Sequence, residues 1–264
     1  MPVSGEIIHA RRTFSEPGGG GAVAAVQLAR LAGGATLFTA LGDDALGRHC
    51  AERLERYGVR VHTAWRAIPQ RRAATFIDDS GERTITVIGE RVAPVGGDDL
   101  PWEELADCDA VYVTAGDVTA LRAARRARVV VATPRVGTAL AASGIELDAL
   151  VHSARDPGER YTQGDLRPEP RLVVATAGIA GGRYTTADGR TGAWRADELP
   201  GPLVDTYGAG DSFAAGLTVG LGAGLDVDGA LALAARAGAV CVTGAGPYGA
   251  RLEAEDIETL RCAQ

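Results

Sequence analysis

The sequence predicts an α/β fold built on a mostly parallel sheet with helices on both faces. Short apolar runs typical of strands alternate along the chain with stretches of helical periodicity, which is the pattern of repeated βαβ units. Glycine-rich turns follow several of these strands, and 264 residues suffice to bury the core of one such domain. In open sheets of this kind ligands bind at the carboxyl ends of the strands, where the glycine turns lie.

The first half of the chain supplies the first strands and a small excursion from the sheet. An amphipathic helix over residues 45–57 is closed by Gly58, and a strand ends before Pro134. The three strands between residues 59 and 87 are expected to form an antiparallel unit. The elements predicted are a helix over 22–31, strands over 35–40, 59–64, 73–77, 83–87 and 111–114, a helix over 118–127, and a strand over 129–132.

The second half continues the series and ends in helices. Asp188-Gly189 is a strong turn pair and predicts a hairpin between its flanking strands. No internal repeat or long linker interrupts the chain, so residues 1–264 are interpreted as one domain with a small β lid at about 59–90. The elements predicted are strands over 147–151, 172–175, 183–186 and 192–195, then helices over 211–221, 227–242 and 254–262.

The most informative segment, residues 205–213, reads Asp-Thr-Tyr-Gly-Ala-Gly-Asp-Ser-Phe and runs into an apolar helix. Gly208 and Gly210 let the backbone adopt positive φ and approach a ligand closely. The N–H groups of the first helical turn have no partner within the helix, and with the helix dipole they form a site for an anion. Asp211 then has two interpretations: an ordinary helix cap, or a general base beside a phosphate.

Other segments are informative because of their order along the chain. Four glycines at 18–21 precede the first helix, and Ala-Leu-Gly-Asp-Asp-Ala-Leu-Gly occupies 40–47. A hairpin pattern spans 74–85, and a Thr-x-Gly-x-x-Gly turn spans 176–181. Together with 205–213, these segments resemble the signatures of the ribokinase-like (PfkB) family of small-molecule kinases. The resemblance extends from Gly5 to Gly246.

The resemblance implies a ribokinase-like three-layer αβα sandwich with a mostly parallel central sheet and a small β lid. It implies ATP as phosphoryl donor with Mg²⁺, a K⁺ site, and a sugar, nucleoside or other small hydroxylated acceptor. It also implies a homodimer formed through the lid. The implied roles are the base for Asp211, an anion hole for Gly208, Ala209 and Gly210, nucleotide binding for Ser153, Thr176, Gly178 and Gly181, substrate binding for Gly20, Gly21, Asp43 and Asp211, magnesium for Asp156, and a monovalent cation for Asp205 and Gly246.

Several of these roles have a plainer alternative. The turn at 176–181 can be a simple strand connection, the glycines at 20 and 21 a flexible loop, and Asp43 a helix cap. The sequence also departs from the family pattern. Val23 stands where the family has asparagine, and Ser153 and Asp156 shorten the family's Asn-x-x-Glu. In the family a first strand that ends in an aspartate precedes the segment matching residues 2–6, and we expect this strand to be missing.

Composition excludes several classes of protein. The chain has no lysine, so a Walker A loop, a protein kinase and a Schiff-base enzyme are excluded. Phosphate charge must then be neutralised by backbone N–H groups, arginine and metal. A net charge of −7 argues against nucleic acid as the main partner. The absence of a long apolar run or signal peptide predicts no membrane span, and four scattered cysteines without Cys-x-x-Cys spacing favour free thiols in the cytoplasm.

Two functional hypotheses follow. The first is an ATP-dependent phosphotransferase that moves the γ-phosphoryl group to a hydroxyl of a sugar or related small molecule. The second is a catalytically weakened relative that binds nucleotide or sugar in a regulatory role, which Val23, Ser153 and the missing strand favour. A dinucleotide-binding oxidoreductase is a poor fit, because Phe213 stands where the third glycine of Gly-x-Gly-x-x-Gly belongs.

Overall fold

The computed structural model describes residues 5, 7, 9–10, 12–78 and 83–255. The helices are α1 (Gly20–Ala32), α2 (Ala45–Arg56), α3 (Val118–Ala124), α4 (Gly137–Ser143), α5 (Ala209–Gly222) and α6 (Val227–Cys241). The strands are β1 (Ala35–Gly42), β2 (Val59–Arg66), β3 (Arg72–Ile77), β4 (Arg83–Ile88), β5 (Ala110–Val113), β6 (Val129–Ala132), β7 (Ala149–Ser153), β8 (Leu172–Thr176), β9 (Gly182–Thr186) and β10 (Thr191–Trp194).

The main sheet has six strands in the order β10-β9-β8-β7-β6-β5. Strands β5 to β8 are parallel, and β9 and β10 form an antiparallel hairpin at one edge. The mostly parallel sheet is therefore confirmed. Because β5 to β8 are parallel, their carboxyl ends lie along one edge of the sheet, where connecting segments can build a site.

Helices cover both faces of this sheet, as the sequence predicts. Successive residues of a strand point to opposite faces. Val131 accordingly packs in a cluster with Phe213 and Leu217 of α5. Val130 packs on the other face with Leu121 of α3 and other residues of the second cluster. The all-apolar strand 129–132 is explained by this double burial, which is typical of parallel sheets.

The pairing of β2 corrects the expected antiparallel unit. Residues 59–64 do not join the lid; β2 pairs in parallel with β1, from Ala35 opposite Val59 onward. The helix α2 connects the two strands, and a crossover of this kind makes its flanking strands parallel. Only β3 and β4 form the antiparallel lid, with Thr75 opposite Ile85.

Strands β1 and β5 each have one side without a strand partner among the described residues. β1 pairs only with β2, and β5 pairs only with β6. Both strands line one large cleft of about 3490 Å³, which also contains the glycine turns. In the described part of the chain no strand precedes α1.

Smaller differences concern helix ends. The helix predicted over 118–127 stops at Ala124, because the Arg125 side chain donates to the carbonyl oxygens of Ala127 and Arg128 and holds a turn there. The short helix α4 was not predicted. Most of the helix predicted over 254–262 lies outside the described residues. No helix in the described ranges is long and apolar enough to cross a membrane.

Candidate active site

The turn at 205–213 lies at the start of α5, as its glycines predict. Gly208 precedes the helix with φ of 88°, a conformation that side chains other than glycine rarely adopt. A Cβ atom on Gly208 would also lie 2.9 Å from Cγ1 of Val23, which is fully buried in α1. Glycine is therefore required at this position both by the backbone and by the packing of α1 against the turn.

The first backbone N–H groups at the start of α5 are largely without intramolecular hydrogen-bond acceptors in the part of the chain that the structure describes. The N–H groups of Gly208, Gly210 and Asp211 donate to no acceptor among the described residues. Ala209 N–H makes only a long turn contact of 3.4 Å to the Thr206 carbonyl. The first regular bond runs from Ser212 N to Gly208 O at 2.8 Å. These amides border the cleft, so they can donate to an anion there.

The Asp211 side chain lines the same cleft as these amides, and its carboxylate has no hydrogen-bond donor in the described ranges. It does not cap α5: the residue at the cap position is Gly208, and no side chain makes a capping bond. The capping interpretation is therefore wrong. The pKa of Asp211 is raised to about 6, chiefly by burial and next by the charge of Glu159, against the opposing charges of Arg135, Arg83 and Arg251. A carboxylate with this pKa can accept a proton near neutral pH.

One of the N-terminal glycines, Gly20, lies close to the same carboxylate. A Cβ on Gly20 would lie 2.6 Å from Oδ1 of Asp211, and a Cβ on Gly21 would lie 3.3 Å from Cγ2 of Thr114. The structure thus brings Gly20 beside Asp211, and Gly21 beside Thr114, which is also a neighbour of Gly20. Thr114 was not predicted as a site residue. The available signal was a polar residue directly after the buried strand β5.

The lid contacts the turn through Arg83, the first residue of β4. Its Nη1 donates to the carbonyl and the Oγ1 of Thr206, both at 3.0 Å. Its guanidinium also lies 5.8 Å from the ring centre of Tyr207. The Tyr207 hydroxyl accepts a long bond of 3.4 Å from Gly19 N. The lid and the glycine segment 18–21 (the glycine loop) therefore both contact the turn before α5, at Thr206 and Tyr207.

Asp43 is not brought to this site. Its carboxylate pairs with Arg48 and it does not line the cleft. The neighbouring Asp44 caps α2, accepting from Gly47 N at 2.8 Å, and it also accepts from Gln70 N. The cap expected in this Asp-Asp pair is thus Asp44, and the substrate role of Asp43 stays a prediction that the geometry does not support.

The residues predicted for nucleotide binding divide into two groups. Thr176 and Gly178 line the cleft at the carboxyl end of β8, and Ser153 lies beside them at the end of β7. Gly181 does not line the cleft; a Cβ there would lie 2.0 Å from the Trp194 carbonyl oxygen. Gly181 therefore packs closely against the end of β10 in the turn that connects β8 to β9, and its role in nucleotide binding stays a prediction.

Asp156, predicted to bind magnesium, is already engaged with protein groups. It accepts from Gly158 N at 2.8 Å and from Arg135 Nη2 at 2.7 Å. Glu159 was not predicted. It accepts from Arg135 Nε at 2.7 Å and from Ser153 N at 2.8 Å. Both carboxylates therefore hold the Arg135 side chain.

Asp205 and Gly246 are brought into direct contact. The Asp205 carboxylate is 2% exposed and accepts from Gly246 N at 2.9 Å and from Tyr207 N at 2.8 Å. The carboxylate thus ties the turn before α5 to the loop after α6. Arg251 lies nearby and donates to Ser212 Oγ at 2.7 Å, but its buried Nε and Nη2 have no partner among the described residues.

Comparison with known proteins identifies relatives. The model of the pfkB family carbohydrate kinases matches residues 2–133 and 137–254. No curated protein sequence matches the chain.

Solved structures share the fold across nearly the whole chain. The ribokinase of Arabidopsis thaliana, complexed with ribose and ATP, has a TM-score of 0.74 at 22% identity, over 98% of this chain and 92% of its own. The adenosine kinase of Sinorhizobium meliloti has a TM-score of 0.73 at 20% identity, over 94% and 83%. An E. coli protein assigned as a ribokinase II, in complex with ATP and Mg²⁺, has a TM-score of 0.69 at 20% identity, over 97% and 94%. The ribokinase-like α/β fold is thereby confirmed.

Proposed function

The chain belongs to the pfkB family of carbohydrate kinases, and from that premise we propose that it transfers the γ-phosphoryl group of ATP to a hydroxyl of a sugar or related small molecule. The family membership supports a kinase of a sugar or nucleoside. The use of ATP is supported by the relatives solved with that nucleotide. The acceptor is proposed as a class, a small molecule with several hydroxyl groups.

One observation carries this proposal: a carboxylate without a hydrogen-bond donor lies beside open backbone amides at the start of α5. Asp211 has a pKa raised to about 6, chiefly by burial. The backbone N–H groups of Gly208 and Gly210 donate no hydrogen bond in the described part of the protein. A base and an anion site side by side are what phosphoryl transfer to a hydroxyl requires.

The reaction follows from this arrangement. The ionised Asp211 accepts the proton of the acceptor hydroxyl as its oxygen forms a bond to the γ-phosphorus. The bond between that phosphorus and the bridging oxygen of ADP breaks on the opposite side. The amides of Gly208, Ala209 and Gly210 donate to the phosphoryl oxygens as their charge develops. Asp211 then releases its proton to water.

Magnesium does not fit as an ion held directly by Asp156. Arg135 already occupies the facing oxygens of Asp156 and Glu159, and a cation placed there would be repelled by the guanidinium. Among the described residues no group of three or more acidic, histidine or cysteine side chains could hold a metal. Mg²⁺ usually binds through substrate phosphates and water with few protein ligands, so we propose that it arrives with ATP.

A monovalent cation at Asp205 and Gly246 stays a proposal. The Asp205 carboxylate already accepts two backbone N–H groups, and the Arg251 side chain brings a positive charge to the adjacent Ser212. Thermal shift in KCl against the chloride of a bulky organic cation tests it. A higher melting temperature specific to K⁺ supports the site, and equal curves refute it.

A regulatory protein with weak or no turnover is the second candidate. Two observations favour it: the buried Val23 has no polar atom to offer a sugar, and β1 and β5 have unpaired sides in the described region. In this case the cleft binds ligand but the reaction is slow.

A coupled ADP-release assay against a panel of sugars and nucleosides separates the two candidates. The kinase proposal predicts ADP release stimulated by at least one acceptor, together with a phosphorylated product seen by mass spectrometry. Tight binding of an acceptor and ATP by calorimetry, with no product, supports the regulatory candidate instead. The matched control is Asp228→Asn, because Asp228 lies in the first turn of α6 and outside the cleft.

We also propose that the lid mediates a homodimer. Its two strands carry apolar side chains that are about half exposed in the single chain, namely Phe76, Ile85, Val87 and Ile88. Light scattering after size exclusion tests this. A dimer that Val87→Glu converts to a monomer supports the proposal, and a monomeric wild-type protein refutes it.

A cytoplasmic location is proposed because the reaction needs ATP and the described cysteines Cys50, Cys108 and Cys241 are free thiols.

A further inference from the structure

The group formed by Arg135, Asp156 and Glu159 is not explained by the roles assigned so far. Arg135 follows β6, and the two carboxylates follow β7, so the group lies at the carboxyl edge of the sheet. All three side chains line the same cleft as Asp211. The side chain of Arg135 is 47% exposed, and that of Glu159 is 18% exposed.

The two carboxylates fix the guanidinium of Arg135 and leave part of it free. Nε donates to Glu159 and Nη2 donates to Asp156, both at 2.7 Å. Nη1 has no hydrogen-bond acceptor among the described residues. It lies beside Gly158, where a Cβ would be 3.9 Å from it. Because its side chain is already fixed, such an arginine loses little further conformational entropy when its remaining N–H groups bind an anion.

Two further observations indicate a ligand at this edge. Thr133, two residues before Arg135, is 2% exposed, and its Oγ1 has no partner among the described residues. A buried hydroxyl without a partner is rare and indicates a missing ligand or water. On the other side of the Ser153 turn, Nη1 of Arg155 lies 3.6 Å from the Cβ position of Gly178, and the Arg155 side chain has no carboxylate partner in the described ranges.

The charges of this edge suit a polyphosphate. Arg135 and Arg155 together balance Asp156 and Glu159, so the edge is neutral before a ligand binds. The chain has no lysine, so positive charge near the phosphates must come from arginine or from the metal that the nucleotide carries. The guanidinium is well suited to phosphate because its planar array of N–H donors matches the phosphate oxygens.

We propose that Arg135, held by Asp156 and Glu159 and assisted by Arg155, binds the phosphate chain of the nucleotide at the carboxyl ends of β6 and β7. The proposal rests on the proposed function for the identity of the ligand, a nucleoside polyphosphate. It assigns to the two carboxylates the positioning of an arginine rather than the direct binding of a metal. The charge of Arg135 also acts on Asp211, so the phosphate and the base belong to one electrostatic system.

Calorimetry with ADP, inorganic tripolyphosphate and adenosine, each in the presence of EDTA, tests the proposal without measuring turnover. Arg135→Gln is expected to weaken ADP and tripolyphosphate binding by about 10- to 100-fold, the range for a hydrogen bond to a charged group. Adenosine binding is expected to stay within twofold of wild type. Arg135→Lys should recover part of the loss, because it keeps the charge but not the planar donors.

The control is Arg171→Gln. Arg171 also pairs with two carboxylates, Glu146 and Asp148, but it lies just before β8, at the opposite edge of the sheet and outside the cleft. This variant should bind all three probes as wild type does. A second variant, Arg135→Gln with Asp156→Asn and Glu159→Gln, removes the repulsion that two unpaired carboxylates would exert on phosphate. Its affinity for tripolyphosphate should remain low.

Four outcomes overturn the proposal. They are wild-type affinity for ADP and tripolyphosphate in Arg135→Gln, an equal loss for adenosine, recovery of wild-type affinity in the triple variant, and no measurable binding of either phosphate probe by the wild-type protein. If the phosphate probes bind as expected but no acceptor is phosphorylated, the phosphate site stands and the kinase proposal fails. If turnover is found but Arg135→Gln binds the phosphate probes as wild type does, the kinase proposal stands and the phosphate site fails.

Discussion

Asp205 and Asp211 lie six residues apart in one turn, yet their carboxylates have opposite surroundings. Asp205 is almost completely buried and accepts backbone N–H groups from Tyr207 and Gly246. Asp211 borders the cleft, accepts nothing from the described residues, and has a raised pKa. A carboxylate satisfied by two donors stabilises a loop, whereas one deprived of donors is available for chemistry. The difference lies in the surroundings and not in the residue type.

The largest effect expected from this comparison is on catalysis. Asp211→Asn should lower kcat by about 10³-fold, because a positioned base contributes roughly 10²- to 10⁴-fold. ADP release at saturating ATP and acceptor measures it, with Asp228→Asn as the same substitution in the first turn of α6. Activity within twofold of wild type in Asp211→Asn would remove the base from the mechanism.

The same substitution at Asp205 should act on stability. Asp205→Asn replaces an acceptor oxygen by an amide that faces a backbone N–H, so we expect a loss of about 2–4 kcal/mol in the free energy of unfolding. Urea denaturation at pH 7.5 measures it. Unchanged stability would mean that the bonds to Tyr207 and Gly246 do not hold the loops together.

Asp211→Asn should instead stabilise the protein above neutral pH. The folded-state pKa of Asp211, about 6, exceeds its ordinary value of 3.8, so its contribution to stability is greatest below 3.8 and is lost as the pH rises through 6. Removing the ionisable group should therefore raise the free energy of unfolding at pH 7.5 by up to about 3 kcal/mol. The gain should disappear below about pH 4. A loss of stability at pH 7.5 in this variant would contradict the desolvation of Asp211.

A smaller effect on kcat is expected from a substitution at Gly20, where the glycine loop lies close to Asp211. Gly20→Ala would place a Cβ 2.6 Å from Oδ1 of Asp211, so the carboxylate or α1 must move. We expect kcat to fall by about tenfold, since small misplacements of reacting groups are costly. Gly137→Ala, at a helical position with open space around the Cβ, should leave kcat unchanged. Equal rates in the two variants would show that Gly20 does not constrain the base.

The smallest effect concerns the charge on the lid. Arg83 lowers the pKa of Asp211, so Arg83→Gln should move the acidic limb of the kcat/KM profile from near pH 6 to higher pH. Arg72→Gln is the control, because Arg72 lies on the same lid but is not among the charges that act on Asp211. If the acidic limb does not move in Arg83→Gln, the charge of Arg83 does not influence the pKa of Asp211.

The sequence predicted the fold well because burial patterns are local. The strand at 129–132 is apolar throughout and lies inside the sheet, and the Asp188-Gly189 turn forms its hairpin. The strand at 59–64 was assigned to the wrong partner, since its pairing depends on the crossover helix α2 that precedes it and not on its composition. Glycine is required at 20 and 208 by close packing against Asp211 and Val23, whereas the close approach to a ligand that the sequence predicts there stays a prediction.

The site was less predictable where its contacts join residues that are far apart in the sequence. The sequence could not reveal that Arg135 holds Asp156, because the two are separated by α4 and β7. Glu159 was missed for the same reason, as its bonds to Arg135 and Ser153 depend on the tertiary fold. Asp43 and Asp44 are adjacent, and only the cap geometry distinguishes them.

The most direct test of the account is a titration of the Asp211 carboxyl by carbon-13 NMR, with Asp211→Asn used to assign its resonance. The account predicts a resonance that titrates with a pKa of about 6 in the free protein and is missing from the variant. A resonance that titrates near the ordinary value of 3.8 would contradict it, because Asp211 would then be a well-solvated or hydrogen-bonded carboxylate rather than a base kept ready in the cleft.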